Sequence, residues 1–332
     1  MGLKVFGRWV ACGVFAMASV GCSSSFQQRL TPAGPVAPAT TTKHLYVIVT
    51  TKSEFVAEYP IVNGIPGSKP DRVVTGFVAL NALAVDSSGH LWVLDLKTIE
   101  EFARGANGPA KPIREIEVPS FLNIDTLAVD ANGYIYVGQK GHVYVYAPSA
   151  RGHAKPIANL KPVGYPAGLT TGASGDFYAL TNTEEFDPYR TFQTHVSVYS
   201  AAPQLQSIRQ FCSYEESNSG IDYGIVLNGG NAYTAHTYFI GSAPHGEIDL
   251  FPARADKCPR GASAKIITKN PSLLVPIYLA IDPPYLYVAD VWYGYGGVIF
   301  TLKTTGSPQK PLSILNVENG NPHNIFGIAL GP

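Results

Sequence analysis

The sequence predicts an all-β chain: a six-bladed β-propeller of four-stranded blades, its ring closed by the C-terminal strand completing the N-terminal blade. Three observations predict it. One hairpin phrase recurs, with its second-strand aromatic at Tyr46, Trp92, Tyr136, Tyr178, Tyr233 and Tyr287, 42–55 residues apart. Two further alternating runs follow each phrase, which makes four strands per unit. The two ends of the folded region read as halves of one phrase. Repeats of this length mean solenoids, propellers or arrays, and four strands per repeat select the propeller.

The hairpins are Leu83-AVDSSGHLWVLD, Leu127-AVDANGYIYVGQ, Leu169-TTGASGDFYALT, Ile225-VLNGGNAYTAH and Leu279-AIDPPYLYVAD. Each joins two β-rich runs through Asp, Asn, Ser, Gly or Pro, the residues of tight turns. Asp86, Asp130 and Asp282 open three of these turns and are read as turn residues. Third strands are expected at Ile99-EEFA, Val143-YVYA, Val196-SVYS, Ile248-DLFP and Val298-IFTL. Fourth strands are expected at Pro112-IREIEV, Pro156-IANLKP, Ser207-IRQFC, Lys265-IITK and Pro311-LSILN. The sixth copy is split: Gly327-IALGP supplies the first strand and Lys43-HLYVI the second, with Phe55-VAEYP and Arg72-VVTGF completing the blade. Such closure removes an open sheet edge.

Composition agrees with this reading. Apolar residues make up 45% of the 332 residues, enough for a large core, and charged residues only 14%. Lys+Arg and Asp+Glu balance at 24 each, so no basic surplus draws the chain to nucleic acid. No Gly-x-Ser-x-Gly elbow, His-Glu-x-x-His pair or phosphate loop occurs.

Residues 1–22 combine the positive Lys4 and Arg8 with the apolar run Trp9 to Val20, a signal peptide by pattern. Its end, Ala18-Ser19-Val20-Gly21-Cys22, resembles a bacterial lipobox, with Ser19 where Leu is usual. The resemblance implies a lipid on Cys22 and a cell-envelope location outside the cytoplasmic membrane. Ser23, not Asp, favours the outer membrane if the cell is Gram-negative. Residues 23–42, rich in Pro, Ser and Thr, read as a flexible tether. The propeller then spans 43–332.

The hairpin pattern, with Pro166-Ala167-Gly168-Leu169 before its third full copy, resembles NHL-repeat propellers and, more loosely, gluconolactonase-type six-bladed propellers, over about residues 43–332. The likeness implies a fold, since such propellers host hydrolases, lyases and binding platforms alike. Two positions per blade are expected near one channel mouth: Asn81, Asp125, Ala167, Tyr223, Ile277 and Phe326, and Val49, Asp95, Gln139, Thr181, His236 and Asp290. Asn81, Asp95, Asp125, His236 and Asp290 are therefore candidate ligands for Ca²⁺ or another divalent ion, with Asp222 and His323 near the same rim. The alternative reading is that these groups satisfy local backbone. Gluconolactonase-type enzymes hold their metal through Glu, Asn and Asp, and no Glu occupies any of the six first-strand positions here. The recurring aromatics are expected to pack between blades, and the Glu100-Glu101 pair to be solvated.

Cys212 and Cys258 remain once the signal and lipid sites are set aside. They form a candidate disulfide closing a 47-residue loop, worth about 4 kcal/mol. The repeat register puts them toward opposite faces, so pairing requires the loop 252–263 to bridge them. Insertions at Thr183-EEFDPYRTFQT, Ser213-YEESNSG, Tyr238-FIGSAPHG and Val291-WYGYGG decorate blades four to six. Long loops in tight repeats are often functional. Tyr223, Tyr238, Phe239, Trp292, Tyr293 and Tyr295 are the candidate contacts to a protein, peptide or glycan partner. The leading expectation is a membrane-tethered binding or scaffolding propeller. The alternative is a metal-dependent hydrolase or lactonase at the channel mouth.

Overall fold

The structure is a computed structural model, which describes residues 42–118, 124–185, 191–215, 220–253, 272–291, 297–305, 310–317 and 325–332. Every regular element among the described residues is a strand, and the strands form six sheets. Blade two runs Leu80–Val85, Leu91–Asp95, Thr98–Phe102 and Arg114–Glu117, from inner to outer strand. Blade three runs Ile124–Val129, Ile135–Gln139, His142–Tyr146 and Ala158–Leu160. Blade four runs Tyr165–Thr171, Phe177–Glu185, Thr191–Tyr199 and Ser207–Glu215. Blade five has Ile221–Asn228, Asn231–Ile240 and Ala243–Pro252, and its expected outer strand at Lys265-IITK lies outside the described residues. Blade six runs Pro276–Asp282, Tyr285–Asp290, Val298–Lys303 and Ser313–Asn316.

Blade one is the joint. Its inner strand is the C-terminal Ile325–Gly331, which pairs antiparallel with His44–Thr50 in the register Tyr46 to Ala329 and Ile48 to Gly327. Glu54–Val62 and Arg72–Thr75 complete it, with a short Ile65–Pro66 strand beside the third. The inner strands of neighbouring blades touch in sequence around the whole circle, from blade one to blade six and back.

Strand alternation builds the core. Leu91 and Val93 face blade one among Tyr46, Ile48 and Leu83, whereas Trp92 and Leu94 face blade three among Ile135 and Val137. Second strands are buried on both faces, so they read as unbroken apolar runs. The six recurring aromatics are all 5% exposed or less and each packs against the following blade, as expected. Tyr136 stacks on Phe177 of blade four at 4.3 Å between centroids and 7° between planes. Their polar tips find acceptors: Trp92 Nε1 donates to Asp86 at 3.1 Å, Tyr136 Oη to Asp130 at 3.1 Å and Tyr287 Oη to the Gly64 carbonyl at 3.1 Å. Burial, reinforced by the neighbouring carboxylate, pushes the Tyr46, Tyr136 and Tyr287 phenols well above their usual range.

The turn reading of Asp86 and Asp130 holds, since each carboxylate also accepts two backbone amides of its turn. Asp282 differs. Pro283 and Pro284 have no N–H to give, and its carboxylate instead meets Lys43 Nζ at 2.5 Å.

The insertions of blades four and five depart from expectation. Much of Thr183-EEFDPYRTFQT and Tyr238-FIGSAPHG continues the sheet: second and third strands have nine residues each in blade four and ten each in blade five, against five each in blades two and three. Residues 1–41, where a signal peptide, Cys22 lipidation and a tether are expected, lie outside the described residues, as do Cys258, Trp292, Tyr293, Tyr295, His323 and the side chains of Cys212 and Asp125.

Candidate functional site

Every inner strand carries a β-bulge against its second strand. The extra residue is Asn81, Asp125, Ala167, Ile277 or Phe326 in five blades and Gly224 in blade five. The first set of mouth positions is thus a set of bulges, with one shift: Gly224, not Tyr223, is the extra residue in blade five. Gly224 has φ +56°, and a Cβ there would stand 2.6 Å from the Ile277 carbonyl, so glycine lets blades five and six approach. The channel between the inner strands holds a cavity of about 90 Å³ lined by residues such as Ala82, Thr126, Ala167, Gly224, Tyr278 and Phe326. Its described lining carries no carboxylate and no imidazole.

The second set of positions lies three residues beyond each second-strand aromatic and faces the preceding blade. Asp95 accepts the amides of Val78 (3.0 Å) and Ala79 (2.6 Å), and Asp290 those of Leu274 (2.6 Å) and Val275 (3.1 Å). Thr181 Oγ1 donates to the Val163 carbonyl at the equivalent place in blade four. These side chains pin the segment that leads into their own inner strand. Gln139 is buried there too, with no partner for Oε1 among the described residues. Asn81 is half-buried and bonded weakly to the Ala79 carbonyl.

His236 is different. Its Nδ1 lies 3.1 Å from Asp222 Oδ1, and one ligand atom each from Asp222, His236 and Asp249 fall within 4.8 Å of one another. The three residues come from the three described strands of blade five and are 2%, 4% and 5% exposed. Asn182 of blade four donates to the Asp222 carbonyl at 2.7 Å and accepts from Thr194 at 2.8 Å. The interface between blades four and five therefore passes from apolar, around Leu180, Ile225 and Phe251, to a buried polar cluster near its rim. Of the five candidate ligands, His236 alone enters a described cluster of this kind. Asp249 was missed. The available signal was Thr234, its cross-strand partner, which stands where the other copies have Val47, Val93, Val137, Ala179 and Val288.

A second described cluster, Asp86, His90 and Glu101, is bound into packing. His90 Nδ1 meets Glu101 at 2.9 Å, Arg114 Nε donates to Glu101 at 2.6 Å, and the Arg114 guanidinium lies 4.4 Å above the Trp92 ring. This corrects the expectation of solvated acids: Glu101 is buried, and Glu100 is pushed up to about 7 by burial, then by the charges of Asp95 and Glu115. Blade one repeats the ladder with Tyr46, Glu58 and Arg72.

No protein-family model matches the chain, and no curated protein matches it. Among solved structures the chain is similar to a protein of unknown function from Bacteroides caccae, at 12% identity and TM-score 0.53, covering 87% of this chain and 99% of that one. It is also similar to the WD40 β-propeller domain of Doa1, at 11% identity and TM-score 0.50, covering 86% and 82%. The chain is a six-bladed β-propeller. At these identities the likeness concerns the fold, and the propeller's sites rest on its own residues.

Above the buried cluster the propeller is asymmetric. Tyr238 stacks between His236 (5.6 Å) and His245 (5.5 Å), and beyond it Phe239 and Ile240 are 41% and 63% exposed. Tyr223 lies apart from them in the inner strand, paired with Ala235.

Proposed function

We propose that this chain is a lipid-anchored, extracytoplasmic binding propeller that captures a protein, peptide or glycan partner against the wall raised by blades four and five. The observation that carries this reading is the elongated pair of hairpins, which places exposed Phe239 and Ile240 on a stacked His236–Tyr238–His245 base. An exposed apolar pair held on a rigid sheet suits recognition better than a mobile loop does, because little conformational entropy is lost on binding. The signal-peptide pattern ending in Cys22 supports the tether, and the similarity of the hairpin phrase to NHL-repeat propellers supports a platform role.

Two measurements on the full chain test the reading. Fatty-acid labelling of Cys is expected in the native chain and absent in Cys22→Ser. Cross-linking in isolated envelopes is expected to give a discrete adduct that disappears when Phe239 and Ile240 become Ser, with the melting temperature unchanged. An adduct pattern indifferent to those two residues sinks the wall as the binding surface.

A further inference from the structure

We infer that the interface between blades four and five is a metal site, in which Asp222, His236 and Asp249 bind one first-row transition-metal ion of the Zn²⁺ or Mn²⁺ type. The inference does not depend on what the wall captures. Three residues on three adjacent strands present ligand atoms within 4.8 Å of one another while each is at most 5% exposed. Ligand bonds of about 2.0–2.2 Å set neighbouring ligand atoms about 3–3.5 Å apart, so the 3.1 Å between Asp222 Oδ1 and His236 Nδ1 already has the spacing of two ligands on one ion. A divalent cation matches the charge of the two buried carboxylates.

A second observation points to the same ligand. The Thr234 hydroxyl is fully buried and has no hydrogen-bond partner among the described residues. Thr234 is the register partner of Asp249 and precedes His236 by two residues, so it shares their face of the sheet. A water on the ion would satisfy this hydroxyl, which an empty apolar interface would leave orphaned. Asn182, itself held by Thr194, fixes the Asp222 backbone from the opposite blade, the kind of outer contact that orients a metal ligand. One imidazole with two carboxylates is a borderline donor set. It suits Zn²⁺ or Mn²⁺ better than Ca²⁺, which takes six to eight oxygens. The Asp86–His90–Glu101 cluster is instead tied to Arg114, Trp92 and turn amides.

The test uses the full chain purified in detergent and stripped with chelator. Zn²⁺ and, separately, Mn²⁺ are titrated calorimetrically, and X-ray absorption is recorded on the loaded protein. One ion per chain is expected, in an oxygen-rich shell with a single imidazole. Binding is expected to weaken by at least about 100-fold in Asp249→Asn and His236→Gln, and to persist in His90→Gln. Circular dichroism and melting of the chelated variants separate lost ligands from lost fold. If those variants do not fold, the wild-type stoichiometry and shell decide alone. Absence of binding by the wild type at millimolar metal overturns the inference, as does a shell with two or more imidazoles, or binding that His90→Gln abolishes and His236→Gln leaves intact.

Discussion

Glu101 shows how a buried charge is kept in this fold. It sits opposite Trp92 on the neighbouring strand, and Arg114 reaches it from the outer strand with its guanidinium 4.4 Å from the indole ring centre. Removing the cation leaves a desolvated carboxylate with one imidazole for company. Arg114→Ala is expected to lower unfolding free energy by about 3 kcal/mol, read by urea denaturation, and Arg114→Lys by less because the charge survives without the planar stack. Glu100, on the opposite face of the same strand, behaves in the other sense. Its carboxyl is raised from 4.5 to about 7 by burial and by Asp95 and Glu115. Between those two values the folded chain holds a proton that the unfolded chain has released. Stability therefore falls as pH rises from about 5 to 8, by on the order of 2 kcal/mol from this residue. Glu100→Gln should flatten that slope and be the more stable protein at pH 8; an unchanged slope would remove the carboxyl from the account.

At the scale of the strand, the repeated device is a side chain three residues past the second-strand aromatic that holds the segment entering its own inner strand. Asp95 does this with two amides, Asp290 with two, and Thr181 with a carbonyl. In these three blades the anchor holds the backbone just ahead of the bulge, where the extra residue interrupts the ladder. Asp95→Ala would orphan the amides of Val78 and Ala79 at a cost of about 2–4 kcal/mol. Their hydrogen exchange should accelerate far more than that of Leu91 or Val93, and Asp95→Asn, with one acceptor oxygen left, should fall between. This explains why Asp95, Thr181 and Asp290 recur at one position without forming a common ligand ring, since each serves its own blade.

For the whole molecule, closure is the property to test. Gly331 pairs with His44, so Pro332 and Lys43 emerge side by side where other blades have a tight turn. A permuted chain in which an Asp-Ser-Ser-Gly linker joins Pro332 to Lys43, opened anew at Lys161–Gly164 between blades three and four, should fold to the same sheets and melt cooperatively. A chain ending at Val317 lacks the inner strand of blade one and bares the edge of His44–Thr50; it should lose cooperative melting and self-associate. Size-exclusion chromatography with thermal melting reads both. A permutant that stays unfolded while the truncated chain melts normally would contradict a ring held by that strand.

Much of this architecture was legible because its determinants are local. Strand alternation, turn chemistry and a phrase repeated at near-regular intervals identify six blades, and the split phrase identifies the closing strand, since both halves keep their pattern when separated by the whole chain. The burial of the six aromatics follows from the same repetition. The functional residues were less legible, for a different reason. Whether Glu101 is solvated or paired depends on Arg114 in the next strand, and whether His236 is a lone rim histidine or part of a cluster depends on Asp222 and Asp249 in the strands on either side. The elongated hairpins read as loops because their lost apolar periodicity hid a ladder that backbone hydrogen bonding sustains without it. The sequence by itself determined the number, order and closure of the blades. Only the tertiary structure decided which polar groups meet, because register across strands and the packing of one blade on the next bring distant residues within bonding distance and take water away from them together.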